Sequence, residues 1–212
     1  MQTDTERLQE LNAYMTVFSW LAKAVDYPDE ELVFGLRQDN ILSHLSRPIA
    51  ERIKSYVDSF DSPEELLLEL QKEYTRMCFV SKPRLVPLFE SVYREGKLFQ
   101  DSTFAIARLY DEAGIKLTDE FRLPPDHITL ELEFMSYLIY QEMEAIKEGN
   151  RDNEEMAIYL QNETMERHLC DFVLQFADRL LQHARTPFYQ GLGGVLREWF
   201  QFGLQHVEPL KG

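Results

Sequence analysis

Leu8, Leu11, Met15, Phe18, Ala22 and Val25 recur at alternating spacings of three and four residues. That period places them on one stripe of an α-helix facing a core, which closes at Asp26-Tyr27-Pro28 because proline cannot continue a helix. "DEELVFGLRQ" and "PIAERIKSYVDSF" predict two shorter surface helices, separated by turn residues around Asp39-Asn40 and Ser46-Arg47-Pro48. At Ser62-Pro63-Glu64-Glu65 an N-cap serine is followed by a proline at the first helical position and a glutamate three residues after the cap, the reciprocal pattern that satisfies unpaired helix N–H groups. The helix it opens is expected to run to about Phe79.

Residues 80–100 break the period with Ser81, Pro83 and Pro87, and read as an ordered loop or hinge. Ser102 is expected to cap "TFAIARLYDEA", which Gly114 closes as a residue able to adopt positive φ. Three helical stretches follow: Arg122 to Glu142, then "DNEEMAIYLQNETMERHLCDFVLQFADRLLQHA", then a last helix opened by Thr186-Pro187 and running through Phe202. No run alternates apolar and polar residues as a half-buried strand would. The pattern predicts an all-α, single-domain helical bundle of about eight to ten helices.

"RLPPDHITLELEFMSYLIYQE" carries the densest candidate chemistry. With Asp126 as N-cap, its carboxylate accepts the N–H of Ile128 or Thr129 and sits at the positive end of the helix dipole. On a helical wheel Ile128, Leu132, Met135 and Ile139 form one face and Leu130, Phe134 and Tyr137 spread round much of the rest, so the helix is nearly buried all round. Glu131 falls on the apolar side, one turn after His127, and Glu133 on the wetter side. A buried carboxyl needs a partner or changes its protonation; His127, Arg76, Arg108 and water are all open as partners of Glu131. Capping alone accounts for Asp126, and a helix-start hydrogen bond for His127; a binding role for both stays open beside that.

Composition narrows the chemistry. The chain has 212 residues with 37 acidic and 22 basic side chains, a net charge of −15, so an extended nucleic-acid footprint is not expected and charged partners should be basic. The acidic N-terminus lacks a secretory signal, and no stretch approaches the ~20 apolar residues of a membrane span; the expectation is a cytoplasmic protein without stable membrane insertion. Cys78 and Cys170 lie far apart without C-x-x-C spacing, which gives neither a disulfide framework nor a zinc site. No Glu-x-x-His pair occurs, Met165 standing three residues before His168 where a di-metal carboxylate bundle would place the acid. No metal, cofactor or catalytic residue is expected.

"EYTRMCFV", "PLFESVY" and "PPDH" followed by "ITLELEFMSYL", in that order, resemble the TorD/DmsD/NarJ family of cytoplasmic redox-enzyme maturation chaperones. The likeness extends from the first helix to "ARTPFYQGL" near the C-terminus. It implies an all-helical chaperone fold with N-terminal helices in residues 1–79, a hinge in 80–100 and C-terminal helices in 101–212. It further implies binding of the twin-arginine signal peptide, or the apo form, of a molybdopterin-containing oxidoreductase catalytic subunit, with assistance to cofactor insertion and assembly before export. A monomer or a domain-swapped homodimer is expected.

By the same resemblance the family's Pro-x-Asp-His element falls on Pro124, Asp126 and His127, its aromatic and hydrophobic pair on Tyr74 and Met77, and its hinge on Pro87, Glu90, Ser91 and Tyr93. Leu123 stands where the family often has glutamate, and Cys78 where a bulkier apolar residue is common. A basic leader with an apolar middle suits a groove of apolar walls and acids. The candidate peptide-binding set is Tyr74, Met77, Phe79, Phe89, Glu90, Ser91, Tyr93, Asp126, His127 and Glu131, expected to share an accessible furrow. The alternatives are a small nucleotide-hydrolysing enzyme using His127 and Glu131, or an assembly factor for a non-exported reductase that contacts the mature apo-enzyme. No phosphate-cradling loop supports the first, since Gly191, Gly193 and Gly194 in "QGLGGVL" read as close helix packing.

Overall fold

A computed structural model describes residues 3–38, 45–116 and 123–202; the turn expected at Asp39-Asn40 lies outside them. Within the described residues the chain is all-α: α1 Asp4–Val25, α2 Glu30–Arg37, α3 Arg47–Val57, α4 Pro63–Thr75, α5 Glu90–Arg94, α6 Asp101–Glu112, α7 Ile128–Glu148, α8 Arg151–Thr164, α9 Cys170–His183 and α10 Pro187–Phe202. Among the described residues two π-helical turns, Arg76–Val80 and Met165–Leu169, follow α4 and join α8 to α9. Contacts group Met1–Ala22 with Phe89–Phe172 in one compact unit, and Lys23–Leu88 with Val173–Gly212 in another.

Several boundaries follow from local chemistry. The Asp29 side chain accepts the N–H of Leu32 at 3.0 Å to start α2, and Ser62 Oγ accepts the N–H of Glu65 at 3.2 Å to start α4, each satisfying an amide that the first turn leaves unpaired. Gly114 (φ 79°) and Gly149 (φ 68°) close α6 and α7 in the left-handed conformation. Ser102 is not the cap expected of it. Helix α6 begins two residues earlier, at Asp101, with Gln100 as N-cap, and Ser102 N–H and Oγ–H both turn to the Glu95 carboxylate at 3.3 and 3.0 Å.

The unit built on Lys23–Leu88 and Val173–Gly212 packs α10 on α3 and α2 on α4. Leu66, Leu70, Ile53, Phe188 and Tyr189 are sealed in its core. The glycine stretch is a packing seam: a Cβ on Gly191 would lie 2.7 Å from Ile53 Cδ1, and one on Gly193 3.2 Å from the Ala177 carbonyl oxygen.

In the unit built on Met1–Ala22 and Phe89–Phe172, α7 is the central helix and packs most extensively against α8. Its buried positions include Ile128, Leu132, Met135 and Ile139, with Phe134 and Leu138 also covered, as the wheel predicts. Along α1, Phe18 and Ala22 are buried and Leu8, Leu11 and Met15 half-buried. Arg7 anchors α1 by donating to Glu142 at 2.6 Å and Glu154 at 2.5 Å, which supplies a cation to the otherwise buried Glu142 carboxylate.

Gly193→Ala is expected to cost about 1–3 kcal/mol, because its Cβ presses on backbone and cannot be relieved by a rotamer change. Gly35→Ala, in α2 with open space around it, should instead gain about 0.5–1 kcal/mol. Urea midpoints at unchanged m would check both; equal midpoints for the two variants would contradict the packing seam.

Candidate functional site

The segments that the resemblance singles out on either side of α6 meet in one place. Phe89 and His127 form an isolated antiparallel β-bridge, and their rings meet edge to face with centroids 5.2 Å apart. Helix α5 starts at this bridge with Phe89 as N-cap, a residue whose side chain offers no acceptor. Asp126 supplies what Phe89 lacks. Its carbonyl accepts the Glu90 N–H at 2.9 Å and its Oδ2 accepts the Ser91 N–H at 2.9 Å, so one aspartate caps a helix 35 residues away in sequence.

Asp126 therefore does not cap its own helix. That task moves one residue on, to His127, whose Nδ1 accepts the N–H of Thr129 at 3.3 Å. The turn Pro124–His127 is fixed by the His127 N–H on the Pro124 carbonyl at 3.2 Å, and Tyr110 on α6 donates its hydroxyl to the Pro125 carbonyl at 2.9 Å. Local preference points to Asp126 as cap of α7; the amides of α5 compete for the same carboxylate and win it.

Beneath this bridge lies a buried polar core. Glu90, at 0% exposure, places Oε2 2.8 Å from His168 Nδ1 and Oε1 2.9 Å from Arg94 Nε. Arg94 also donates to the Arg167 carbonyl, so it clamps α5 to the π-helical turn that carries His168. Glu131 is fully buried as well, and neither of its carboxyl oxygens has a hydrogen-bond partner. Burial first, then the nearby Glu90 and Asp126, push the Glu131 carboxyl well above the usual carboxylate range, with Arg94 opposing. Arg94 is thus the cation that Glu131 feels, rather than Arg76 or Arg108.

Phe89, Glu90, Ser91, Asp126, His127 and Glu131 are brought together here, with Tyr93 half-buried on α5 and its ring 5.3 Å from that of Phe172. Tyr74, Met77 and Phe79 belong to the other unit. The Tyr74 ring packs among those of Tyr27, Phe79 and Tyr189 at 5.6, 5.7 and 6.3 Å, and the Met77 carbonyl receives the N–H groups of Leu85 and Val86, each at 3.1 Å. The residues expected at the centre of an accessible furrow are themselves buried. Tyr74, Phe89, Asp126 and Glu131 are 3%, 8%, 0% and 0% exposed; Asp126 serves the amides of α5, while neither Glu131 oxygen has a hydrogen-bond partner. Of the ten residues only Phe79 is exposed, at 47%, and Tyr93 is partly so.

Two members of the polar core escape sequence reasoning. Arg94 stands four residues after Glu90, a helical ion-pair spacing, and could have been found had 80–100 been read as containing a helix. His168 carries no such signal, since a π-helical turn changes which side chains share a face. Burial pushes the Cys78 thiol up to about 12, far from the thiolate a reactive cysteine needs. His127 and Glu131, the pair a nucleotide-hydrolysing enzyme would use, are both buried.

With that geometry in place, similarity to known proteins decides the family. The family model described as nitrate reductase delta subunit matches residues 42–178. The chain belongs to this family. It is 28% identical over 153 residues to a chaperone protein TorD from Photobacterium profundum, covering 68% of this chain and 70% of that one. It is 31% identical over 104 residues to the Tat proofreading chaperone DmsD of Salmonella typhimurium, covering 49% and 44%. A selenate reductase assembly chaperone protein of Thauera selenatis is 33% identical over 93 residues, covering 44% and 46%. The crystal structure of a redox enzyme maturation protein from Archaeoglobus fulgidus superposes with a TM-score of 0.60 over 88% of this chain and 93% of that one, at 21% identity; the two share the all-α fold. Among the described residues no helix is long and apolar enough to cross a membrane.

Asp126→Ala is expected to destabilise the protein by about 1–3 kcal/mol, because it leaves the buried Ser91 amide unsatisfied. Asp126→Asn retains an oxygen acceptor and should cost less than half as much. Denaturant titration separates the two; equal losses would show that charge, not the hydrogen bond, holds α5.

Proposed function

We propose that the chain is a cytoplasmic chaperone that binds the twin-arginine signal peptide, or the apo form, of a molybdopterin-containing oxidoreductase subunit and releases it chemically unaltered. The observation that carries this reading is the family match over residues 42–178, which spans both the Tyr74–Phe79 segment and the Pro124–Glu131 segment. Relatives named as chaperones, one of them for selenate reductase assembly and one for Tat proofreading, support the same class of partner.

Physical features fit a basic, apolar client. The net charge of −15 favours encounter with a peptide that opens on paired arginines. Phe79 and Tyr27 are 47% and 45% exposed, and both rings pack on buried Tyr74. They offer rigid apolar contacts of the kind that anchor peptide interfaces. Tyr74 seats these exposed rings and Met77 lies buried near it in sequence, while Phe89, Glu90, Ser91, Asp126, His127 and Glu131 are positioning residues that hold α5 and present Tyr93. The chain passes between its two units at Ala22–Lys23, Leu88–Phe89 and Phe172–Val173. Exchange of segments about residues 80–100 would give the domain-swapped dimer as an alternative to the monomer.

Calorimetry with a synthetic twin-arginine leader, and with the same leader carrying two lysines, tests the proposal directly. Binding of the first, weakened about tenfold by Phe79→Ala, which is ~1.4 kcal/mol, is the expected result. Failure of the protein to bind any leader or apo-subunit from its own cytoplasm would contradict it.

A further inference from the structure

Glu90, Glu131 and His168 come from three separate elements, α5, α7 and the π-helical turn Met165–Leu169, yet one ligand-type atom from each lies within 4.8 Å of the other two. All three are at least nine-tenths buried, at 0%, 0% and 3% exposure. The cluster is not satisfied from within. Both Glu131 oxygens lack a hydrogen-bond partner, as does Asp126 Oδ1, so carboxyl lone pairs are enclosed with nothing to accept. A buried carboxyl in that condition takes up a proton or a cation.

Charge points the same way. The carboxyls of Glu90, Asp126 and Glu131 are opposed by Arg94, whose side chain is 32% exposed, and by His168 only when that imidazole is protonated. The core thus gathers three carboxyl groups around a single guanidinium. We infer that Glu90, Glu131 and His168 form a binding site for a divalent first-row transition-metal ion that ties α5, α7 and the π-helical turn together.

The donor set selects the class of ion. Two carboxylates and one imidazole suit zinc, ferrous iron or manganese, whereas calcium and magnesium prefer oxygen alone and cuprous copper prefers sulfur. Metal–ligand bonds of about 2.0–2.2 Å put neighbouring ligand atoms about 3–3.5 Å apart, so His168 Nδ1 and Glu90 Oε2, at 2.8 Å, need only part slightly while Glu131 closes in. The π-helical turn is the device that aims His168 inward; such insertions recur where a helix must present a functional side chain out of register. No intra-helical Glu-x-x-His spacing is needed when each ligand comes from a different element, and this is how the site escapes a motif search. The inference is independent of which client the protein binds.

Cobalt(II) is the probe, added to chelator-treated full-length protein. The expected result is one equivalent bound, with a visible d–d absorption band, paramagnetically shifted imidazole ring protons, and a raised melting temperature that zinc reproduces. Glu131→Gln should abolish the band and the thermal shift while leaving the metal-free melting temperature close to that of the parent. His168→Asn, carrying no imidazole, should abolish the shifted ring protons and provides the same reading if Glu131→Gln fails to fold. Absence of cobalt and zinc binding by the parent would overturn the site. So would binding that persists in both variants, which would place the ion on surface carboxylates.

Discussion

Two backbone amides at the start of α5 have no acceptor in their own segment, and the arrangement of the Phe89–Phe172 region depends on how they are satisfied. Asp126 reaches them with its carbonyl and its carboxylate. A buried N–H left unpaired costs about as much as the net worth of one or two hydrogen bonds. The 89–91 and 124–127 segments are therefore held in register by a requirement neither can meet alone. Everything nearby adapts to that bridge: His127 takes over the capping of α7, Phe89 and His127 set their rings edge to face, and Glu90 is swung beneath, into contact with His168 and Arg94.

The same requirement accounts for the burial of Asp126, one of the acids expected to line a peptide groove. A carboxylate near a turn is ambiguous in sequence: it can meet solvent, a cationic partner, or amides elsewhere in the chain. Only the third costs no exposed surface, and the hinge segment, rich in turn-formers and poor in local acceptors, supplies amides to satisfy. The apolar half of the candidate site behaves differently. Tyr74 is covered, but its neighbours Phe79 and Tyr27 remain outside, so the accessible apolar surface there belongs to the rings flanking the buried aromatic rather than to the aromatic itself.

Much of the architecture was legible because it rests on local rules. Ser62, Gly114 and the Pro187 start are all where periodicity and capping place them, and the wheel of α7 correctly puts Glu131 inside and Glu133 outside. Two adjacent residues with capping ability, Asp126 and His127, could not be ranked without knowing that α5 competes for the aspartate. Glu90 was visible as part of the "ESVY" hinge, but its burial was not, because the irregular composition of 80–100 hides the short helix α5. His168 was set aside for lack of a helical motif, and the π-helical turn that brings it to Glu90 has no signature that a 3.6-residue period can detect.

Amide hydrogen exchange resolved to single residues is the most direct check on the bridge. If Asp126 holds the hinge, the Glu90 and Ser91 amides should exchange as slowly as those in the interior of α7, such as Leu132 and Met135. Exchange as fast as that of exposed Gly96, in a protein whose α7 remains protected, would contradict it.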